Sequence, residues 1–236
     1  MQPIHQKEPA HINHRLEMFC DGVYAIVITL LVLEIKVPPV EHVNSLPDVW
    51  RSVGQLWPSF LALILGFTTI FISWVNHHSF LALLDKSSPQ FILANGYFLF
   101  TLILVPFFTA FVAEYLNTAY VQPVVFLYCL NRLLHNTGWL LLHRTAVRPY
   151  LLLKNEKAVE VQKKIKKGLK TGFVLYTATA LLAWWLPLAA LTISILISCY
   201  WIYLASFRPV VTNKQKNFSL PLLAVQKKVR RRSVLR

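Results

Sequence analysis

Charge is scarce in this chain, and negative charge most of all. Of 236 residues, 14% are charged and only 10 are Asp or Glu, against 24 Lys or Arg. Soluble domains carry about a quarter charged residues, so an ordinary soluble globular domain is excluded. The hydrophobic fraction of 56% and aromatic fraction of 13% exclude a disordered chain. There are three cysteines, Cys20, Cys129 and Cys199, each in or beside an apolar run. They are too few for a disulfide scaffold and lack metal-ligand spacing.

Catalytic and cofactor signatures are missing too. The chain has no Walker loop, no GxGxxG, no HExxH and no GxSxG. His77 and His78 are adjacent, so they diverge on a helix and make a poor metal site. No two acids form a close pair within an apolar run, and no cofactor is implied. An intramembrane enzyme would need a nucleophile or metal site that is not there. The potassium-filter sequence TVGYG is absent, Asn95-Gly96-Tyr97 is no equivalent, and no ladder of arginines suggests a voltage sensor.

What the chain does have is long uncharged runs. Residues 52–76, 87–113, 115–131 and 171–207 contain no Asp, Glu, Lys or Arg. A helical span needs about 20 apolar residues. The first two runs are one span each, and the third becomes a span by extending past Arg132 to about Leu142. Run 171–207 is too long for one helix. Trp184-Trp185-Leu186-Pro187 near its middle suits an interfacial turn followed by a new helix, roughly 170–185 and 188–207. The first candidate span has only residues 22–33 uncharged between Asp21 and Glu34. A signal-peptide core is one reading, but Asp21 interrupts it and no small-residue cleavage pattern follows. A helix over about 15–37, its charged ends facing protein or water, is the reading adopted.

Basic residues orient these spans. With the N-terminus inside, segments 1–16, 79–88, 143–170 and 208–236 hold 21 of the 24 Lys and Arg, as the positive-inside rule expects. Segments 143–170 and 208–236 then share a side, which requires an even number of passes between them. The expected fold is an all-α polytopic membrane protein with six transmembrane helices per subunit and both termini cytoplasmic. It divides into a cytoplasmic segment 1–14, a six-helix transmembrane domain 15–208 with the basic connection 143–170 on the cytoplasmic side, and a basic tail 209–236. Lys163-Lys164-Ile165-Lys166-Lys167 should extend the flanking helices into the cytosol. The run Val229-Arg230-Arg231-Arg232 suits anionic lipid beside the bilayer, and nucleic acid is not an expected partner.

On a helical wheel, Ile26, Leu30 and Leu33 follow i, i+4, i+7 and form one stripe. Arg15, Phe19 and Val23 continue it toward the cytosol, and Thr29 flanks it. Glu17, Asp21 and Ile28 lie nearly opposite. Copies of this stripe gathered around an axis would make a pore with apolar constrictions, which gate by dewetting. An ordinary lipid or core face of Ile and Leu gives the same stripe. The short uncharged window favours the pore, because its polar ends need water or protein partners.

The stretch Arg15-Leu16-Glu17-Met18-Phe19-Cys20-Asp21 resembles the signature R-x-x-x-F-S-D of the transmembrane protein 175 family, endosomal and lysosomal cation channels with prokaryotic relatives. Thr29-Leu30-Leu31-Val32-Leu33-Glu34-Ile35-Lys36-Val37-Pro38 is similar to the prokaryotic members. Trp74-Val75-Asn76-His77, and Asn95 with Pro106-Phe107-Phe108-Thr109, look like the second and third helices of that family. The resemblance is dense over 15–115 and looser afterwards. Cys20 stands where the family usually has Ser. The resemblance implies a potassium-selective or potassium-preferring channel in a prokaryotic plasma membrane, built as a homotetramer with the first helix lining the pore and potassium as the permeant ion. It implies a hydrophobic constriction at Ile26, Leu30 and Leu33, and selectivity tied to the pore-proximal Thr29. It also implies a supporting polar network of Arg15, Phe19 and Asp21, for which Trp74, His77 and Asn95 are candidate partners. Plain helix-helix hydrogen bonding accounts equally for His77 and Asn95, and for Asn131, Arg132 and His135 on the fourth span. A secondary transporter and a proton-conducting form of the same pore are the alternatives.

Overall fold

The computed structural model describes residues 10–40, 44–147 and 156–206; the basic tail expected at 209–236 and most of segment 1–14 lie outside the described residues. Every element is helical. Helix α1 (Ala10–Leu30) tightens into a 3-10 turn (Leu31–Glu34). Then come α2 (Leu46–Gln55), α3 (Trp57–Leu81), α4 (Pro89–Ile103), α5 (Val105–Tyr115), α6 (Val121–Val147), α7 (Glu156–Ala183) and α8 (Pro187–Ser206).

Proline sets many of these boundaries. It opens α2, α3 and α4, where its missing N–H costs nothing. Ser88 caps α4 by accepting from the Phe91 N–H at 3.2 Å. The 37-residue run breaks at Trp184–Leu186, and α8 starts on Pro187. Pro106 interrupts the third run more subtly. It cannot donate to Leu102, so the chain turns at Leu104 and divides the run into α4 and α5. The run 87–113, expected as one span, remains one apolar stretch, Pro89–Tyr115, with this break inside it. Helix α2 also lies largely ahead of the expected 52–76 span and has no buried residue.

Four stretches are long and apolar enough to cross a membrane: His14–Glu34, Leu46–Leu81, Pro89–Tyr115 and Pro187–Leu204. Helices α6 and α7 fall short of that by composition. Helix α6 buries Asn131, Arg132, His135, Asn136 and His143. The first half of α7 carries the lysine run.

Packing divides into two apolar clusters. One joins α1, α3, α4 and α6 around Phe80, Phe91, Phe98 and Leu142. The other joins α3, α5, α6, α7 and α8 around Leu65, Val125, Tyr128 and Ala190. Thr69, Ser73, Asn131, Arg132, His135, Ser194 and Ser198 are buried at positions between them along α3, α6 and α8. Helices in lipid gain little from apolar burial alone, so close van der Waals contact carries more of their association. Gly138 shows such a contact: a Cβ there would lie 3.1 Å from the Phe98 Cα, so that the backbone of α4 would have to shift by a few tenths of an ångström. Gly138→Ala should therefore lower stability by about 1–3 kcal/mol through overpacking. Gly96, with nothing within 4 Å of a Cβ, is the control. Its Ala variant should melt in detergent at or slightly above the parent temperature. Equal melting of the two variants would contradict the close α4–α6 approach.

Candidate functional site

Helix α1 has two unlike faces. Cys20, Tyr24, Val27 and Leu31 follow i, i+4, i+7, i+11 and are buried against α3 and α4. The same spacing as the Ile26, Leu30 and Leu33 stripe recurs in this seam, so periodicity alone does not distinguish the two. Leu31 sits over Gly66 of α3, so closely that a Cβ on Gly66 would be 2.5 Å from Leu31 Cδ2. The other face is open: Phe19 is 62% exposed, Ile26 62%, Leu30 42% and Leu33 72%. The 3-10 turn eclipses residues three apart, which lines Leu33 up directly over Leu30. Arg15 and Thr29 are exposed as well.

The buried face is anchored by hydrogen bonds. Asp21 accepts from Trp74 Nε1 at 2.9 Å. His77 and Asn95, the other two candidate partners of Asp21, instead bond each other at 2.8 Å. Asn95 Nδ2 then donates to Cys20 Sγ at 3.1 Å. With its amide nitrogen so used, Asn95 presents Oδ1 to the imidazole, which assigns the proton to His77 Nε2. Cys20 thus fills an acceptor role that a serine hydroxyl would fill more strongly. His77 also stacks on Phe98, with centroids 5.3 Å apart and planes 5° from parallel.

A second chain runs deeper. The Tyr24 hydroxyl meets Ser73 Oγ at 3.1 Å, and Ser73 meets His135 Nε2 at 2.9 Å. His135 Nδ1 lies 3.0 Å from Thr101 Oγ1, whose own proton goes to the Phe98 carbonyl at 2.7 Å. Thr101 therefore accepts from Nδ1–H. With a neutral ring the donors run in one direction, Tyr24 to Ser73 to His135 to Thr101. The sequence marks His135 only as a helix-helix hydrogen-bonding residue and carries no signal for Tyr24, Ser73 or Thr101. Tyr24 and Ser73 are 49 positions apart, and Ser73 and His135 are 62 apart, which no local periodicity can show. Near the N-terminal end of α1, His78 Nδ1 lies 3.2 Å from Glu17 Oε1. At the opposite end, Glu34, Lys36, Gln55, Glu114 and Asn117 line a shallow cleft.

One side of α1 is thus fixed to its own bundle, and the other offers an apolar row to something else. The family model of the endosomal/lysosomal potassium channel TMEM175 matches residues 15–106. A crystal structure of a lysosomal potassium-selective channel TMEM175 homolog from Chamaesiphon minutus superposes with a TM-score of 0.73 at 31% identity, over 82% of this chain and 97% of that one. The chain belongs to the TMEM175 family. It is accordingly a membrane protein. Among its relatives, a potassium channel of Chamaesiphon minutus is 48% identical over 102 residues, 43% of this chain and 50% of that protein. A potassium channel of Streptomyces collinus is 41% identical over 103 residues, 44% and 48% of the two chains. The mouse endosomal/lysosomal proton channel TMEM175 is 35% identical over 105 residues, 39% of this chain and 21% of the mouse protein. The match spans about half the length of the two bacterial relatives.

Two substitutions rank the anchors of this TMEM175 member. Asn95 is fully buried and serves two partners, whereas Asp21 is half-buried. Asn95→Ala leaves His77 unpaired and should cost about 2 kcal/mol, while Trp74→Phe should cost about 1 kcal/mol. Denaturation in detergent measures both. The reverse order would make Asp21, rather than Asn95, the principal anchor of α1.

Proposed function

We propose that the chain is one subunit of a potassium-preferring cation channel. Six spans and cytoplasmic termini make up the subunit, and four copies in a prokaryotic plasma membrane surround a pore lined by α1. The observation that carries this is the open row of Ile26, Leu30 and Leu33 on a different face from the buried seam of the same helix. Meeting around an axis, such rows form a narrow apolar neck. A neck of that kind empties of water and blocks ions without a complete steric plug.

Thr29 supports cation preference. Its hydroxyl proton is held by the Ile26 carbonyl at 2.8 Å, so its oxygen lone pairs are what the exposed side chain offers an ion. A ring of such oxygens can replace part of a cation's water shell. Glu34 and Glu114, in the cleft beyond the C-terminal end of α1, outnumber Lys36 there and leave a net negative potential that favours cations. Asp21, Trp74, His77 and Asn95 hold the back of α1, so they act on the pore through its position. Conduction needs no cofactor and no chemistry on a bound substrate.

Proton conduction through the same pore is the second reading, favoured by the name of the mouse relative. Passive flux into liposomes separates the two: potassium uptake under an imposed gradient supports the first, and acidification without potassium movement supports the second. Saturable exchange against another ion would favour a transporter over both. Within the channel reading, Ile26→Asn keeps bulk but wets the neck. Basal potassium flux should rise about tenfold, equivalent to roughly 1.4 kcal/mol off the barrier. Leu31 is unsuitable as a control because it is buried against Gly66. Val32, 56% exposed and off the stripe, serves instead, and Val32→Asn should leave flux near the parent level. An open Val32→Asn beside a closed Ile26→Asn would reject this pore face.

A further inference from the structure

Arg132 stands near the middle of α6, at the level of Thr69 in mid-α3, Tyr176 in α7 and Ser198 in mid-α8. A cation at that depth is costly unless its charge is met. Its Nη1 donates to Thr69 Oγ1, and Nη2 donates to the Tyr176 hydroxyl at 3.1 Å and to Ser198 Oγ at 3.0 Å. The guanidinium carbon also lies 5.1 Å from the centre of the Tyr176 ring. All these partners are neutral. Among the described residues, the two ion pairs with carboxylates are Arg51–Asp48 and His78–Glu17, and neither involves Arg132. The positive charge is hydrogen-bonded but not neutralised.

The same face of α6 holds donors still unspent. Arg132 is 93% buried by its 7% exposure, yet its Nε has no partner. The Tyr128 hydroxyl, one turn earlier and fully buried, lies near Thr69 but outside hydrogen-bonding geometry. Thr69 and Ser198 give their own protons to the Leu65 and Ser194 carbonyls, so neither offers Arg132 more than a lone pair.

A buried cation, two free N–H and O–H donors and no carboxylate form a set complementary to a small anion. We propose that Arg132 is the centre of an intramembrane site for a monovalent anion such as chloride, held by Arg132 Nε–H and Tyr128 O–H. The anion neutralises the guanidinium and so stabilises the junction of α3, α6, α7 and α8. The site lies away from the α1 row and stands independently of what crosses the pore. A water molecule would satisfy the same hydrogen bonds but would leave the charge unbalanced.

The test is thermal melting of the purified full-length protein in detergent. Chloride replaces gluconate stepwise at constant ionic strength. The melting midpoint should rise saturably with chloride, and bromide should act alike. Tyr128→Phe preserves shape and removes one donor to an ion, so the half-saturating concentration should rise about tenfold. Arg132→Lys keeps the charge but lacks the Nε donor, and should also weaken the response. Crystals grown in bromide should show its anomalous signal between Arg132 and Tyr128. Parent melting curves that superpose in chloride and gluconate would overturn the site. So would a parental chloride response in Tyr128→Phe, which also decides the matter should Arg132→Lys fail to fold.

Discussion

The structure depends on one asymmetry in α1. A helix with so short an uncharged window crosses a bilayer only if its polar groups are met by protein or water. On one side, protein meets them: Asp21 on Trp74, Cys20 on Asn95, Tyr24 on Ser73. These bonds fix the rotation of α1 about its own axis. Once that rotation is set, Ile26, Leu30 and Leu33 face away from the bundle. The direction of the open row thus follows from the bonds on the opposite side.

The frame that holds α1 is braced at a second level. His135 connects α3, α4 and α6 through Ser73 and Thr101, and Arg132 connects α3, α6, α7 and α8 through hydroxyls. Ser73 is shared between the His135 chain and Tyr24 of α1. Polar side chains in such a setting are held strongly in place, because a broken bond leaves a buried group without water to replace it. Packed aromatic rings between the levels, Phe98 against His77, His135 and Trp139, leave little freedom for one level to shift without the other.

Composition and periodicity made much of this legible. Uncharged runs marked the apolar helices, and Trp184 with Pro187 marked the α7–α8 break within a few residues. The exposed stripe of α1 was legible from its i, i+4, i+7 spacing. Its buried seam has the same spacing, but a helix that is apolar nearly all round does not announce which face is covered. The break at Leu104 was hidden because Pro106 lies inside an otherwise uninterrupted apolar run. The Asn95–Cys20 and Arg132–Ser198 contacts join residues 75 and 66 positions apart. Their existence follows from how helices meet, which a single sequence does not encode locally. The bond between His77 and Asn95 belongs with these, since nothing in either residue's neighbours chooses it over Asp21.

The central claim is that the open row of α1 is covered by the same row of other copies. The mass of the purified particle, obtained by light scattering with the detergent subtracted, tests this most directly. Cyclic assembly about one axis is the simplest closed way to cover a single face on every copy. The account predicts a particle of four chains that keeps its mass on dilution. A monodisperse single chain that still conducts potassium in liposomes would contradict it.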